Sequence, residues 1–414
     1  MADWAGLQLD LVGDILEHLP CRAHRAAFGF VCRRWRVIRD QHPPPPQLPW
    51  LFLPSAAAEA PVFFCILCDN NHPTFLPDDV RTARCCGSHR GGWLVLRLQQ
   101  QQGGDFELHN LQPQGEGGGL ALHNLHTGSR LTVPGGIRMV DGLSETGIVL
   151  GAALSASPLL PGSCLAVVQA YCASQITFWL PTMRMPYQSQ PMAPDPDERG
   201  RREMLPDSLI DDVIDFIGYG LQGFHVLTNA EEVLVYTPGF GPDGAFTTHL
   251  VTYRFPEHQV SARAGCTVSR YLVDYFGQLV MVVRFVSTAD RRTQTIRFYG
   301  LRMAAVQAGN HGDRQAHWDE GLFDDDNVVV MLGRCYSKAF ASPAVGLGGL
   351  YFLDDAKSFD DVMAALQVVG PQFPCTDIGR YTLHHLEQQD MEHLGMMLPV
   401  RPPSEFSPPV WFFH

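Results

Sequence analysis

The first forty residues carry apolar side chains at the spacing of short helices. Between Leu11 and Leu19 the apolar positions fall at i, i+1, i+4, i+5 and i+8, which places them on one face of a helix, and Pro20 stops that helix. Two further short segments of the same kind follow, one beginning near Arg22 and one around Trp35, with basic residues in the gaps. The pattern predicts three short helices.

A run of four prolines, Pro43–Pro46, separates these helices from the rest of the chain. Such a run is extended and acts as a stiff spacer, so we place a domain boundary there. The predicted organisation is a helical domain at residues 1–42, a proline-rich linker and start of the next domain at 43–54, and a β domain at 55–414.

After the spacer, short apolar runs recur and are separated by Gly, Pro, Asp or Asn, with no helix between most of them. Examples are Val62–Leu67, Trp93–Leu98, Ile148–Leu154, Leu165–Tyr171, Ile176–Leu180, Glu232–Tyr236, Leu250–Phe255, Leu279–Phe285 and Gly349–Phe352. This density predicts an all-β sandwich, barrel or propeller, and about 350 residues exceed one sandwich and suit a propeller of six or seven blades. The fold class is therefore α+β multidomain: three helices, then a mainly antiparallel β domain.

Composition and charge narrow the function classes. A net charge of −13 and a pI near 5.7 argue against nonspecific binding to nucleic acid or to anionic membranes. The uncharged stretch Thr146–Met183 is interrupted by glycines and prolines, which favours strands over a membrane span. The 11 cysteines form no small disulfide framework, so we expect reduced thiols in the cytoplasm or nucleus.

The helical region is too small to bury all of its apolar side chains by itself. Two explanations stay open from the periodicity alone. A partner protein covers the surplus apolar surface, in a helix-in-groove type of recognition, or the helices form a cap that packs on the β domain.

Two segments of this region carry a motif. Residues 4–20 are Trp-Ala-Gly-Leu-Gln-Leu-Asp-Leu-Val-Gly-Asp-Ile-Leu-Glu-His-Leu-Pro, and Val31–Arg36 are Val-Cys-Arg-Arg-Trp-Arg. Together they resemble an F-box, which typically has Leu-Pro-x-Asp-Leu-Leu, then Ile and Leu at helical spacing, then Val-Cys-Arg-x-Trp-Arg. Gln8 stands where that family usually has a proline at its adaptor interface.

The β domain resembles the propeller of a large plant F-box family that was long known as a domain of unknown function. The similarity begins at Gln47–Pro54 and continues in order along nearly the whole chain. Further matching segments are Cys86–Leu94, Leu122–Gly128, Ser155–Pro158, Tyr271–Asp274, Tyr351–Asp355 and Pro408–Phe412. Leu125 replaces a proline of the family's Leu-Asn-Pro-x-Thr-Gly turn.

The resemblance implies the substrate-recognition subunit of a Skp–cullin–F-box ubiquitin ligase. The helices would bind a Skp-type adaptor and, through it, cullin, while the propeller would hold a protein substrate through residues that no motif identifies. The side chains expected to contact the adaptor are Leu7, Leu9, Leu11, Val12, Ile15, Leu16, Leu19, Val31, Cys32 and Trp35.

Such a receptor works by proximity and needs neither catalytic residues nor a cofactor. We therefore expect a non-catalytic adaptor with no nucleic-acid or membrane partner. One alternative is a protein-binding propeller that is uncoupled from the ligase. An enzyme with a propeller active site is a further alternative, although no acid/base, nucleophile or metal set stands out.

Several polar clusters invite a chemical role. Cys65-x-x-Cys68 with Cys85-Cys86 suggests zinc, with His72 and His89 nearby, but the second pair lacks the two-residue spacing. Within a strand, the odd spacing of Cys65 and Cys68 would also send them to opposite faces, so we predict buried structural thiols and no metal. We likewise interpret as structural the groups His384-His385 with Glu387 and His393, Asp324–Asp326, Asp354-Asp355, and Ser88.

Overall fold

A computed structural model of the chain provides the architecture. It describes residues 6–44, 47–54, 61–72, 74, 76–98, 119–134, 148–170, 174–183, 187–188, 210–218, 221–228, 230–254, 263–303, 313–321, 327–334, 337–342, 346–355, 376–382, 391–392, 404 and 407–414. Several predicted features lie outside these residues, namely the His384 group, the Asp324–Asp326 run and the second half of the proline spacer.

Three helices stand at the start of the described chain, as the periodicity predicts: α1 (Leu9–Glu17), α2 (Arg22–Gly29) and α3 (Arg33–Gln41). They share one small core, in which the rings of Phe28 and Trp35 lie 4.5 Å apart. The buried members of that core are Val12, Leu16, Phe28, Trp35 and Ile38. We refer to residues 6–44 as the helical unit.

A buried arginine ties the ends of these helices together. The guanidinium of Arg25 on α2 donates to the carbonyls of Leu16 and Leu19 at 3.2 and 2.8 Å, and to those of His42 and Pro43 at 3.1 and 3.3 Å. Carbonyls at a helix end lack partners within the helix, so one planar cation satisfies the ends of both α1 and α3. This contact gives the helical unit a fixed arrangement.

The rest of the described chain is built almost entirely of strands, with one short helix, α4 (Asp78–Arg81). The strands are β1 (Trp50–Leu53), β2 (Val62–Cys65), β3 (Asn70–His72), β4 (Arg84–His89), β5 (Trp93–Arg97), β6 (Leu120–Asn124), β7 (Arg130–Thr132), β8 (Ile148–Leu154), β9 (Leu165–Ala170), β10 (Ser174–Trp179), β11 (Tyr187–Gln188), β12 (Ile210–Gly218), β13 (Leu221–Thr228), β14 (Val233–Phe240), β15 (Phe246–Arg254), β16 (Cys266–Tyr275), β17 (Gln278–Ser287), β18 (Thr293–Met303), β19 (Asp313–Glu320), β20 (Val328–Met331), β21 (Lys338–Ala341), β22 (Gly349–Phe352), β23 (Gly379–Tyr381), β24 (Met391–Glu392) and β25 (Val410–Phe412).

Strands β4 to β19 form four successive antiparallel groups of four, and parallel pairing of β15 with β19 joins the last two groups. The groups β4–β7, β8–β11, β12–β15 and β16–β19 are each a meander in which every strand pairs with the next. The first strands of neighbouring groups lie against each other, β4 against β8, β8 against β12, and β12 against β16. Four-stranded meanders arranged side by side by their first strands fit a β-propeller, and the number of blades stays a prediction.

The two ends of the β domain meet in one sheet. Strand β25 pairs with β1, placing Trp50 opposite Phe412 and Leu51 opposite Trp411, and β1 pairs in turn with β2 and β3. Strand β25 also contacts β4, the first strand of the next group. This last described strand therefore covers one edge of β1 and joins the first sheet to the next group.

A buried ionic network supports the structural interpretation of the Asp354-Asp355 pair. Arg284 on β17 is fully buried, and its guanidinium lies 3.4 Å from a carboxylate oxygen of Asp355 and 3.8 Å from one of Asp377. The hydroxyl of Tyr271 donates to Asp355 at 2.5 Å. Asp354 accepts hydrogen bonds from the backbone N–H groups of residues 376 and 377. These carboxylates hold β16, β17 and the chain after β22 together.

The uncharged stretch of residues 146–183 contains three strands, β8, β9 and β10, at the positions that the sequence predicts. None of the helices among the described residues combines the length and the apolar character that crossing a membrane requires.

Candidate functional site

The helical unit carries an unusual share of exposed apolar surface. Ten large apolar side chains among the described residues are strongly exposed, and five of the ten belong to this short unit. These five are Leu9, Leu11, Phe30, Val31 and Val37. Exposed apolar side chains that gather in one small unit mark an interaction surface more often than isolated ones do. We call these five residues the apolar surface.

The ten residues predicted to contact an adaptor divide by exposure. Leu9, Leu11 and Val31 are close to half exposed and belong to the apolar surface. Four others are partly buried, namely Leu7, Ile15, Leu19 and Cys32. These seven are available to a partner to differing degrees.

Three of the predicted contacts need correction. Val12 and Leu16 are 0% exposed and Trp35 is 6% exposed, because their side chains form the shared core of the three helices. A helix that is apolar on a wide face uses part of that face for its own packing, which the sequence pattern cannot separate from the docking part. These three residues belong to the core that holds the helical unit together.

Phe30 is absent from the predicted contact set, although it is the most exposed large apolar residue of the described chain, at 77%. The helical pattern places it on the apolar side of the second helix, but α2 ends at Gly29 and Phe30 follows as its cap with a φ of −87°. Its backbone is still in the right-handed helical region, so the ring stays on the predicted side of α2. That side faces away from the core of the helical unit, which the sequence pattern does not show.

Gln8 occupies the cap position before α1. Its backbone φ is −60° and its side chain makes no capping hydrogen bond. A proline ring fixes φ near −65°, so the backbone here has the conformation that the F-box proline would impose. The substitution of glutamine for proline thus leaves the start of α1 unchanged in shape.

The helices that carry the apolar surface also carry exposed charged residues. Exposed acids lie along α1, and exposed arginines lie along α3. The acids are Asp10, Asp14 and Glu17, and the arginines are Arg33, Arg34 and Arg36. An apolar centre with a polar rim is the usual composition of a protein–protein interface.

The opposite side of the helical unit contacts the β domain. The side-chain amide of Gln47 donates to the carbonyl of Pro20 and accepts from the N–H of Arg22, both at 2.9 Å. The imidazoles of His24 and His72 meet edge to face, 5.7 Å apart. The helices therefore do partly cap the β domain, and they keep the apolar surface exposed while doing so.

A thiol cluster lies at the same contact, and it corrects the predicted geometry of the Cys65-x-x-Cys68 segment. Strand β2 ends at Cys65, so Cys68 lies in the following turn and its side chain is not sent to the opposite face of the strand. The Sγ atoms of Cys21 and Cys68 lie 3.2 and 3.3 Å from Nε2 of His72, and those of Cys21 and Cys65 are 3.7 Å apart. Cys85 and Cys86 lie apart from this cluster, on β4.

The close approach of the thiols changes their acidity. The hydrogen bond from the Cys65 thiol lowers the pKa of Cys21 to about 4, and the same bond raises the pKa of Cys65. Burial raises the pKa of Cys68 to about 11. The contact with the Cys65 thiol thus favours the thiolate form of Cys21.

On the β domain, exposed aromatic residues lie on two hairpin turns. The rings of Phe240 and Phe246, at the two sides of the β14–β15 turn, lie 5.7 Å apart. Phe276, in the β16–β17 turn, is 60% exposed. Strand β15 pairs with β19 only through its last residues, Thr252–Arg254, so the β14–β15 turn extends beyond the strand end at which Phe276 lies.

The turn that carries Phe276 has an uncommon residue for its shape. Phe276 and Gly277 have φ values of 49° and 91°, so both central residues of this hairpin turn are left-handed. Such a type I′ turn favours asparagine or aspartate before the glycine, because a bulky side chain is strained there. A phenylalanine held exposed in a strained turn suggests a role in binding.

Ser88 has a structural environment. It is fully buried on β4, and its hydroxyl oxygen accepts the backbone N–H of Phe413 at 3.0 Å. This bond attaches the segment after β25 to β4, in agreement with the closure of the β domain.

Comparison with known proteins decides the family. The sequence model of the KIB1-4 beta-propeller matches residues 63–381, about three quarters of the chain. The chain belongs to the KIB1-4 beta-propeller family. The matched range covers the meanders β4–β19 and excludes the helical unit, so the KIB1-4 assignment establishes the propeller class and supports a protein-binding module.

Other comparisons add little to the KIB1-4 assignment. Among curated proteins, none matches the chain. The N-terminal domain of Nup159 aligns with 58% of this chain and 55% of its own at 11% identity and a TM-score of 0.21. An ancestral GH74 enzyme aligns with 66% of this chain and 34% of its own at 12% identity and a TM-score of 0.25. The chain thus covers less than two thirds of each structure, and TM-scores this low carry no argument.

Proposed function

We propose that this chain is the substrate-recognition subunit of a Skp–cullin–F-box ubiquitin ligase. The observation that carries the proposal is the apolar surface of the helical unit. It coincides with the segment that resembles an F-box, and it stays exposed although the helices have their own core and contact the β domain. Uncovered leucine, valine and phenylalanine at this density favour a partner protein.

In this proposal the two parts of the chain bind different proteins. The helical unit binds the Skp-type adaptor, which links it to cullin, and the β domain binds the target. Holding a target lysine near the charged ubiquitin-conjugating enzyme raises its effective concentration there. The chain then acts without catalytic residues of its own, in the cytoplasm or nucleus, where its thiols stay reduced.

Two hairpin turns of the β domain with exposed aromatic residues supply surface for the target. Phe240 and Phe276 are both more than half exposed, and both stand on hairpin turns, where binding residues are commonly carried. Aromatic side chains contribute large contact areas at low cost in conformational entropy. We propose that these turns form part of the target-binding face.

A pulldown with Skp and cullin tests the proposal. The full chain should retain both, and a Leu9→Asp/Leu11→Asp variant should lose both, because it places charge in the centre of the apolar surface. A matched control is Leu159→Asp/Leu160→Asp, which changes two leucines of similar exposure, 64% and 56%, on the β8–β9 connection. That control should retain the adaptor fully.

The result separates the proposal from its alternatives. If the unmodified chain fails to retain Skp, the ligase role is wrong and an uncoupled protein-binding propeller remains. If both double variants lose Skp equally, the apolar surface is not the docking site. Thermal melting of each variant shows whether a loss of binding reflects unfolding.

A further inference from the structure

Three cysteines and one histidine from distant parts of the sequence converge at the contact between the helical unit and the β domain. One potential ligand atom from each of Cys21, Cys65, Cys68 and His72 lies within 4.8 Å of the other three. Cys21 and Cys65 are buried and the other two are half-buried. The group is thus shielded from solvent on the helical side and reachable from the other.

The local backbone explains how the four side chains come together. Cys65 ends β2, the turn after it carries Cys68, and β3 returns to place His72 opposite Phe63. Asp69 in this turn has a φ of 50°, a left-handed conformation that lets the chain reverse directly after Cys68. A hairpin turn of this type presents both thiols and the imidazole on one side.

The fourth side chain comes from the helical unit. Cys21 is the N-cap residue of α2, in the short connection after Pro20. Its Sγ approaches both the Cys65 sulfur and the His72 nitrogen. Any atom bound by all four would therefore join the helical unit to the β domain.

The distances suit a tetrahedral metal ion. With Zn–S bonds of about 2.3 Å and Zn–N bonds of about 2.0–2.1 Å, neighbouring ligand atoms of a tetrahedron lie about 3.5–3.8 Å apart. The three separations that define the cluster are 3.2, 3.3 and 3.7 Å. The other three separations are at most 4.8 Å, so shifts of about an ångström or less would bring the four atoms to tetrahedral distances.

The chemical nature of the four ligands indicates which metal ion they would bind. Thiolate and imidazole ligands in a tetrahedron are typical of Zn²⁺, whereas Mg²⁺ and Ca²⁺ require oxygen ligands. Four protein ligands also leave no open position for a water molecule or substrate, which is the arrangement of structural zinc sites.

We propose that Cys21, Cys65, Cys68 and His72 bind one structural zinc ion that fixes the helical unit to the β domain. Nε2 of His72 is the nitrogen ligand, since it faces both Cys21 and Cys68. The ion sets the direction of the apolar surface relative to the β domain. The site stands on its own geometry and does not depend on the proposed ligase function.

Metal content of the purified full chain tests the site. Native mass spectrometry and elemental analysis should find one zinc ion per chain, and Cys65→Ser and Cys68→Ser should each lose it. Cys266→Ser is the matched control, because it removes a half-buried thiol that contacts Gln294 instead of the cluster. The control should keep the full zinc content.

Three further measurements guard against variants that fail to fold. His72→Cys replaces one zinc ligand by another, and it should retain the ion while the Ser variants lose it. Co²⁺ exchanged into the unmodified chain should give the intense visible absorption of tetrahedral thiolate ligation. X-ray absorption of the zinc form should show three sulfur neighbours at about 2.3 Å and one nitrogen at about 2.0 Å.

Several results would overturn the site. Folded chain that contains no zinc and takes up neither Zn²⁺ nor Co²⁺ would do so, as would equal zinc loss in the Cys266→Ser control. A disulfide between Cys21 and Cys65 in protein kept under reducing conditions would show that the cluster is a redox pair. None of these measurements involves Skp, so the proposed ligase role would stand or fall separately.

Discussion

Leu11 and Leu16 lie five positions apart on α1, and their surroundings give them opposite functions. Leu11 is 48% exposed on the apolar surface, and Leu16 is 0% exposed in the core of the helical unit. Leu11→Asp should weaken Skp binding by about tenfold or more and leave stability nearly unchanged, since an interface anchor is lost without a cavity. Titration calorimetry and thermal melting measure the two effects.

Leu16→Ala should behave in the opposite way. It removes buried volume, so it should lower the free energy of unfolding of the helical unit by about 2–5 kcal/mol. Urea denaturation measures this change. At temperatures where its helical unit stays folded, the Leu16→Ala chain should bind the adaptor as tightly as the unmodified chain does. Equal losses of affinity in Leu11→Asp and Leu16→Ala, both folded, would mean that exposure does not separate docking from support.

A substitution at Gln8 tests for a gain in stability and in adaptor affinity. Because its φ is −60°, Gln8→Pro should keep the start of α1 and stabilise the helical unit by about 0.4–1 kcal/mol through the unfolded state. If proline also contacts the adaptor as in the F-box family, Skp affinity should rise. Lower stability together with weaker binding would show that the Gln8 N–H is needed.

At the residue scale, sequence patterns identified the residues of the helical core and most of the apolar surface. They did not show which of these apolar residues are buried and which are exposed. The spacing of Cys65, Cys68 and His72 is visible in the sequence. The contribution of Cys21 is not, because 44 residues separate it from Cys65 and only the packing of α2 against β3 brings them together. The predicted strand Val62–Leu67 runs two residues past the end of β2 at Cys65, which led to the wrong orientation of Cys68.

Among the elements, the β16–β17 hairpin makes the sharpest prediction. Phe276→Asn places the preferred residue in a type I′ turn and should preserve or raise the melting temperature. It also removes an exposed aromatic ring from the proposed target-binding face, so target recovery should fall while Skp binding stays the same. Proximity labelling in cells, with a chain carrying Leu9→Asp/Leu11→Asp to block turnover, identifies targets whose labelling depends on Phe276.

If the chains with and without the Phe276→Asn substitution label the same proteins, the target binds elsewhere on the β domain. A fall in melting temperature would instead indicate that the ring is packed in solution.

Strand positions were predictable wherever apolar runs were bounded by turn residues. Strands β8 to β10 agree closely with the sequence pattern, because glycine, proline and serine separate them. Strand β14 extends past the predicted end at Tyr236 to Phe240, through Pro238 and Gly239, which normally end strands. Its pairing with β15 overrides the local preference there.

For the molecule as a whole, closure of the β domain depends on its last strand. Trp411 is fully buried, and its indole N–H donates to the carbonyl of Leu332 at 2.7 Å. Trp411→Ala should cost about 3–5 kcal/mol in the free energy of unfolding by urea, since it removes a large side chain from the sheet that joins both ends of the domain. Trp411→Phe, which keeps most of the volume, should cost less.

A Trp411→Ala chain that unfolds at the same urea concentration as the unmodified one would show that β25 is not needed for closure. The density of short strands suggested a propeller, yet no repeat in the sequence indicated that β25 joins β1. Pairing between the ends of a chain is a long-range contact, and local patterns do not encode it.

The central claim is that the helical unit docks a Skp-type adaptor through its apolar surface. The most direct measurement is the calorimetric affinity of the purified full chain for purified Skp, compared with Leu11→Asp and Phe30→Asp chains. We predict one-to-one binding by the unmodified chain, weakened by about tenfold or more in each variant. No binding by the folded, unmodified chain, or equal binding by all three, would contradict the claim.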